Sequence, residues 1–262
     1  EDAAAWRWRK TRNGNYLQAI HEFDQIRLRD LLFIERQKKI IERNTRQYLA
    51  GLPANNALLW GPRGTGKSSL IKALFNDYCG RGLRLVEVEK SFLADLPEIV
   101  ARLENTKNQY IIFCDDLTFD ENDSSYRALK TILDGSLLNA SNTLIYATSN
   151  RRHLLPEYTS DNEGSEIINN ELHYSEGVEE KISLSERFGI WLSFHPYKQN
   201  DYLDIVCHWI LFFRPDGTKT ELEEARQPAL QWALERGSRS GRTAYQFARD
   251  WSGRKGLGGI KN

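Results

Sequence analysis

The sequence predicts an α/β fold, a five-stranded parallel sheet with flanking helices and a small C-terminal helical lid. Three observations carry that prediction. Short apolar runs, at Ala57–Trp60, Leu83–Val88, Tyr110–Cys114 and Thr143–Thr148, alternate with stretches of helical periodicity. The runs are continuously apolar, which is how strands covered on both faces of a parallel sheet read. After Phe194 the pattern turns helical, over Asp201–Phe213, Glu221–Arg236 and Thr243–Trp251.

In chain order, residues 1–30 form a polar N-terminal arm with interspersed aromatics and no clear periodicity. Trp6 and Trp8 alternate there with Arg7, Arg9 and Lys10. That cluster suits stacking on a single-stranded nucleic acid or an amphipathic arm docked on the protein. The α/β subdomain is expected over 31–197. It opens with a helix from Leu31 to Leu49, on which Ile34, Ile40, Ile41, Tyr48 and Leu49 recur, and Gly51-Leu52-Pro53 stops it. A helix over Ser68–Tyr78 puts Leu70, Ile71, Leu74, Phe75 and Tyr78 on one face and closes at Gly80. Helices over Ser91–Leu103 and Ser125–Leu138 connect the later strands. Residues 157–180 carry eight acidic side chains and neither Lys nor Arg, and read as an exposed acidic insertion. The lid occupies 198–262, with a Gly- and Lys-rich tail, Gly253–Asn262, expected to fray.

The chain has 262 residues, with 36 basic and 36 acidic side chains. A net charge of zero argues against attachment to nucleic acid by bulk charge, and leaves a local basic patch open. No apolar window is long enough for a transmembrane helix, and the first residues lack the apolar core of a signal peptide. Cys79, Cys114 and Cys207 are far apart and odd in number, which predicts reduced thiols in a cytoplasmic protein. Cys114 reads as a buried, inert strand residue. His21, His153, His173, His195 and His208 have no metal-ligand or triad spacing. The chain contains no Met, so it is expected to be a piece of a longer protein or to lack short segments of it.

The strongest motif is Gly61-Pro62-Arg63-Gly64-Thr65-Gly66-Lys67-Ser68, followed by Ser69, which satisfies G-x-x-x-x-G-K-[ST] between an apolar strand and an amphipathic helix. Glycines let the backbone curl its N–H groups toward phosphate oxygens, and the helix N-terminus adds the positive end of its dipole. Lys67 is the candidate ligand of the β- and γ-phosphates of ATP, or of the β-phosphate of ADP, and the Ser68 hydroxyl a candidate ligand of Mg²⁺. The apolar strand Tyr110–Cys114 ends in Asp115-Asp116. Asp115 is placed to hold Mg²⁺ through water, and Asp116 to polarise an attacking water. A third strand ends at Asn150, which either orients that water or senses the γ-phosphate, or else marks a turn.

Together these motifs resemble those of the AAA+ ATPases. Pro53-Ala54-Asn55-Asn56, Phe113–Leu117, Tyr146–Pro156 and Ser183–Gly189 resemble, more closely, an uncharacterised bacterial family of predicted single-module AAA+ ATP-binding proteins, over about residues 30–252. The resemblance implies an arginine acting in trans on a neighbouring subunit's γ-phosphate, for which Arg187 is the candidate. It also implies a second sensor arginine acting in cis, Arg242, with Arg239 as second choice. It therefore implies an ATP-dependent homo-oligomer, a ring or open spiral, with ATP held between the α/β subdomain and the lid. The implied activity is Mg²⁺-dependent ATP hydrolysis that remodels or loads a macromolecular partner. The family's second strand-end acid is Glu, and Asp116 here implies slow turnover. That departure favours an alternative, a slow-turnover ATP-gated binding module like the helicase loaders. A kinase built on the same loop is a third reading.

Overall fold

The computed structural model describes the chain apart from residues 1–2, 13, 23, 105, 120–123, 135–141, 153, 155–165, 169–170, 174–183 and 260–262. It divides into two units. The first holds Glu1–Leu28, Arg36–Gly61 and Ser68–Ser193; the second holds Arg29–Glu35, Pro62–Lys67 and Phe194–Asn262.

The first unit is built on one sheet. Its strands are β1 (Ala5–Thr11), β2 (Gly14–Ala19), β3 (Ala57–Trp60), β4 (Leu83–Glu87), β5 (Gln109–Cys114), β6 (Thr143–Ser149) and β9 (Ile190–Ser193), in the order β2-β1-β4-β5-β6-β3-β9. The sheet therefore has seven strands where the sequence predicts five. The hairpin β1–β2 accounts for two of them. It forms from the segment read as an unassigned arm, and the alternation Trp6-Arg7-Trp8-Arg9 is its period-2 signature. β1 pairs in parallel with β4 and antiparallel with β2. Trp8 is fully buried, its indole N–H donates to Asp95 Oδ2 at 3.1 Å, and the Arg102 guanidinium lies 5.0 Å above its ring. β1, with Ala5 and Trp8, is thus part of the core.

β5 and β6 are the centre of the sheet, and their residues from Tyr110 to Cys114 and from Thr143 to Ser149 are all buried. α1 (Glu35–Leu49) is tied to them by buried polar groups. Tyr146 Oη meets Asn44 Nδ2 at 2.9 Å and Thr45 Oγ1 at 2.8 Å, while Tyr48 Oη donates to the Tyr110 carbonyl at 3.1 Å. Such groups are tolerated inside only because each finds a partner. α1 begins four residues later than its periodicity suggests: Phe33 has a positive φ of 63°, which ends any helix before it. α2 (Lys67–Tyr78) matches the expected helix. The expected helix over Ser91–Leu103 is a 3₁₀ segment, Lys90–Asp95, followed by α3 (Leu96–Glu104). Pro97 falls in the first turn of α3, the one part of a helix where its missing N–H costs nothing. α4 spans Ser124–Leu133, and the continuation expected to Leu138 reaches residues outside the described ones.

The acidic stretch 157–180 lies outside the described residues except for the backbone of a short antiparallel pair, β7 (Glu166–Ile168) with β8 (Glu171–His173).

The second unit carries α5 (Gln199–Phe213), α6 (Lys219–Glu235) and α7 (Gly241–Gly259). Buried Ala225, Ala229, Ala233, Ala244 and Ala248 let these helices approach closely. The aromatic rings of Trp209, Phe213 and Tyr245 interlock at centroid separations of 4.9–5.4 Å. α7 continues to Gly259, so the tail does not fray where expected. Lys255 pairs with Glu224 at 3.1 Å and lies 5.1 Å above the Trp251 ring, which fastens the glycine-rich end. Among the described residues no helix is long and apolar enough to cross a membrane.

Trp8→Ala is expected to lower the unfolding free energy by about 3–5 kcal/mol, read as a fall in urea midpoint. Burial pushes the Cys114 thiol up to about 12. At pH 8 it stays protonated, so alkylation of Cys114 should require unfolding while half-buried Cys79 reacts first; mass mapping of the labelled chain checks this.

Candidate functional site

In the first unit, three chain segments converge at the carboxyl end of the sheet because β5 and β6 are neighbours in parallel register and α2 starts above them. Asp115 follows the last residue of β5 and is exposed, the first polar side chain after a fully buried run. Its Oδ1 accepts from Ser68 Oγ at 2.6 Å and from Thr148 Oγ1 at 2.5 Å. The same Thr148 hydroxyl accepts the Asp116 N–H at 2.8 Å. Asp116 has φ of 52°, an uncommon backbone for a residue with a side chain. Asn150 Nδ2 donates to Asp116 Oδ1. Ser68, Asp115, Asp116 and Asn150 are therefore drawn into one hydrogen-bonded chain.

Thr148 is the link that sequence reading missed. The signal was present: Thr148 and Asn150 lie two apart at the end of β6, where strand periodicity gives both the same face.

Arg187 does not join this chain. Its guanidinium pairs with Asp134, just past α4.

In the second unit, Lys67 is buried and its ammonium donates to the Pro62 carbonyl at 2.8 Å, as does the Thr65 hydroxyl at 2.8 Å. Gly64 and Gly66 have φ of 75° and 98°, so the loop needs residues without Cβ there. Gly64 is constrained twice, because a Cβ on it would meet Ser240 Cβ at 2.5 Å. The Gly241 N–H donates to the Gly64 carbonyl at 2.8 Å. Ser240 caps α7 by accepting the Thr243 N–H at 3.1 Å, and Thr243 Oγ1 accepts the Ser240 N–H in return.

Tyr197, a residue with no signal in the sequence, donates its hydroxyl to the Thr65 carbonyl at 3.0 Å. Burial, with Glu35 and Asp201 nearby, pushes its phenol up to about 12, so it remains a donor at neutral pH. Arg242 is exposed in the first turn of α7, its Cβ 3.8 Å from where a Gly64 Cβ would stand. Arg239 instead lines a cavity of about 700 Å³ with Arg63, Thr65, Tyr197 and Leu230. Both candidates for the second sensor thus stand near the loop, on different sides of Ser240.

The first unit's donor set suits a hard cation. Ser68 and Asp115 offer oxygen atoms only, at hydrogen-bonding separation, and among the described residues no group of three or more His, Cys, Asp or Glu could hold a metal by itself. That pattern fits Mg²⁺, which keeps several waters and takes its remaining ligands from phosphate.

Gly64→Ala should destabilise the chain by about 1–3 kcal/mol from its positive φ and the clash. Adding Ser240→Gly should recover part of that loss, as thermal melts of the single and double variants would record.

The chain matches a variant of RuvB from Thermotoga maritima at 15% identity and a TM-score of 0.54, over 85% of this chain and 63% of that one. It matches a DNA replication initiation factor at 16% identity and a TM-score of 0.51, over 88% of this chain and 63% of that one. It therefore spans less than two thirds of the length of either. These likenesses establish the fold, a parallel sheet flanked by helices that the chain shares with both structures. No curated protein matches the chain. A family model covers residues 1–255, and the chain belongs to that family, described as a protein of unknown function (DUF815).

Proposed function

We propose that this chain is a Mg²⁺-dependent ATPase of the AAA+ type that works in an oligomer on a macromolecular partner. The observation that carries the reading is the contact of Ser68 with Asp115 at 2.6 Å, directly after the G-x-x-x-x-G-K-[ST] loop. A hydroxyl and a carboxylate held together at the foot of a phosphate loop form the protein's share of a nucleotide-bound Mg²⁺ site. When held there by Ser68 and Asp115, Mg²⁺ would supply charge neutralisation to the nucleotide's phosphates.

The protein's own groups divide the remaining tasks. Gly61 to Ser69 form the phosphate-binding loop. Lys67 exchanges the Pro62 carbonyl for phosphate oxygens. Asp116, oriented by Asn150 and its own N–H bond to Thr148, accepts a proton from the attacking water. Arg242 acts in cis on the γ-phosphate. Arg187 acts in trans, which requires it to leave Asp134 and a neighbouring subunit to receive it. The three free cysteines suit a cytoplasmic location.

A second reading, a slow ATP-gated binding module, is favoured by two features. Asp116 is a shorter base than Glu, and Arg187 is already engaged within its own chain.

ATPase rate per molecule, measured against protein concentration, separates the two readings. A rate that rises with concentration is expected of a site completed between subunits; a low, flat rate supports the gated module. Lys67→Ala should weaken ATP binding at least about tenfold. Arg187→Ala should keep ATP binding and lose about 10³-fold in turnover. Normal ATP affinity in the Lys67 variant would sink the loop assignment, and unchanged turnover in the Arg187 variant the trans assignment.

A further inference from the structure

The N-terminal strand reaches the metal side of the candidate site. Arg7 of β1 stands opposite Glu87 at the carboxyl end of β4. Both Arg7 Nε and Nη2 donate to Glu87 Oε2, at 3.0 and 2.7 Å. Glu87 is in turn opposite Phe113 of β5, and Asp115 lies two residues beyond Phe113, so strand periodicity continues the row on the same face. Arg7, Glu87, Phe113 and Asp115 together line a cavity of about 370 Å³, which Lys72 of α2 and Glu89 also border. Glu89 has its own arginine from the same strand: Arg9 Nη1 donates to it at 2.9 Å.

Two carboxylates therefore border the cavity that holds Asp115, and alternate arginines of β1 take both. Glu87 is the more enclosed, its side chain 17% exposed against 52% for Glu89. An uncompensated charge there would oppose a bound polyphosphate. The chain meets that problem with a guanidinium from its N-terminal hairpin.

We propose that Arg7 is a positioning residue for nucleotide binding: it cancels the charge of Glu87 and holds that carboxylate away from Asp115 and the phosphates. This rests on the reading of Asp115 as the residue that holds nucleotide-bound Mg²⁺. Arg7 touches neither nucleotide nor metal in this assignment, and acts through Glu87.

The test is equilibrium binding of MgATP by titration calorimetry, with no turnover required, on the whole chain. Arg7→Gln should weaken MgATP about three- to tenfold. Arg7→Gln combined with Glu87→Gln should return to within about twofold of the unsubstituted chain, since no charge is left to cancel. Arg7→Lys, which keeps the charge but loses the paired N–H donors, should bind more tightly than Arg7→Gln. Had Arg7 served only to fasten β1, the double variant, which also lacks the ion pair, would bind as weakly as Arg7→Gln; that result overturns the proposal. So does an unchanged affinity in Arg7→Gln. If the unsubstituted chain fails to bind MgATP, the ATPase reading falls, and this inference with it. Binding by the unsubstituted chain with no rescue in the double variant removes the inference alone.

Discussion

The carboxylate of Asp115 is the point at which the first unit's structure becomes chemistry. It ends a strand whose preceding residues, Tyr110 to Cys114, are buried, so its position is set by the packing of the whole sheet. Two hydroxyls converge on one of its oxygens, Ser68 from α2 and Thr148 from β6. That convergence needs three separate constraints. β5 and β6 must pair in parallel with the observed register, α2 must start where β3 ends, and β3 must lie beside β6. A shift of one residue in the β5–β6 ladder would turn Thr148 to the opposite face and leave Asp115 with one partner. The site depends on register more than on any single contact.

The loop residues Pro62–Lys67 have their constraints within the second unit. Gly64 is pressed against Ser240, and its carbonyl accepts the first N–H of α7. Tyr197 holds the Thr65 carbonyl, and Thr65 and Lys67 both satisfy the carbonyl of Pro62. A buried ammonium demands a polar partner, and the loop supplies one from its own backbone. The loop conformation is thus maintained by internal hydrogen bonds and by the cap of α7. A change at Ser240 or Thr243 acts on the loop through the backbone of Gly64 and Gly241.

Three acids of the first unit, two near the end of β4 and one just past α4, are paired with arginines. Arg7 takes Glu87, Arg9 takes Glu89, and Arg187 takes Asp134. The first two pairs join the N-terminal hairpin to the edge of the parallel sheet, beside the backbone ladder of β1 with β4. Ion pairs with partly exposed partners add little to stability. Their consequence is local: they hold Glu87, Glu89 and Asp134 against arginines of the same unit.

How much of this was legible in the sequence follows the range of the interactions involved. The loop Gly61–Ser68, the acids Asp115 and Asp116, and the strands that carry them are local patterns, and the helices of the second unit follow from periodicity. The hairpin β1–β2 was harder to read, because its alternating Trp and Arg describe a strand only if there is an edge to receive it. Pro97 and Phe33 shifted helix boundaries that periodicity alone placed elsewhere. Tyr197 and the Arg7–Glu87 pair were invisible as site residues, and the strand-end signal of Thr148 did not name its partner, since each acts across strands or segments far apart in the chain. By itself, the sequence determined where the glycine loop and the paired acids fall and the order of the elements that carry them. Only the tertiary structure decided which hydroxyl completes Asp115, which backbone carbonyl holds Lys67 and which acid engages Arg187. The physical reason is that hydrogen bonds and ion pairs form over about 3 Å, and only strand register and packing bring distant residues that close.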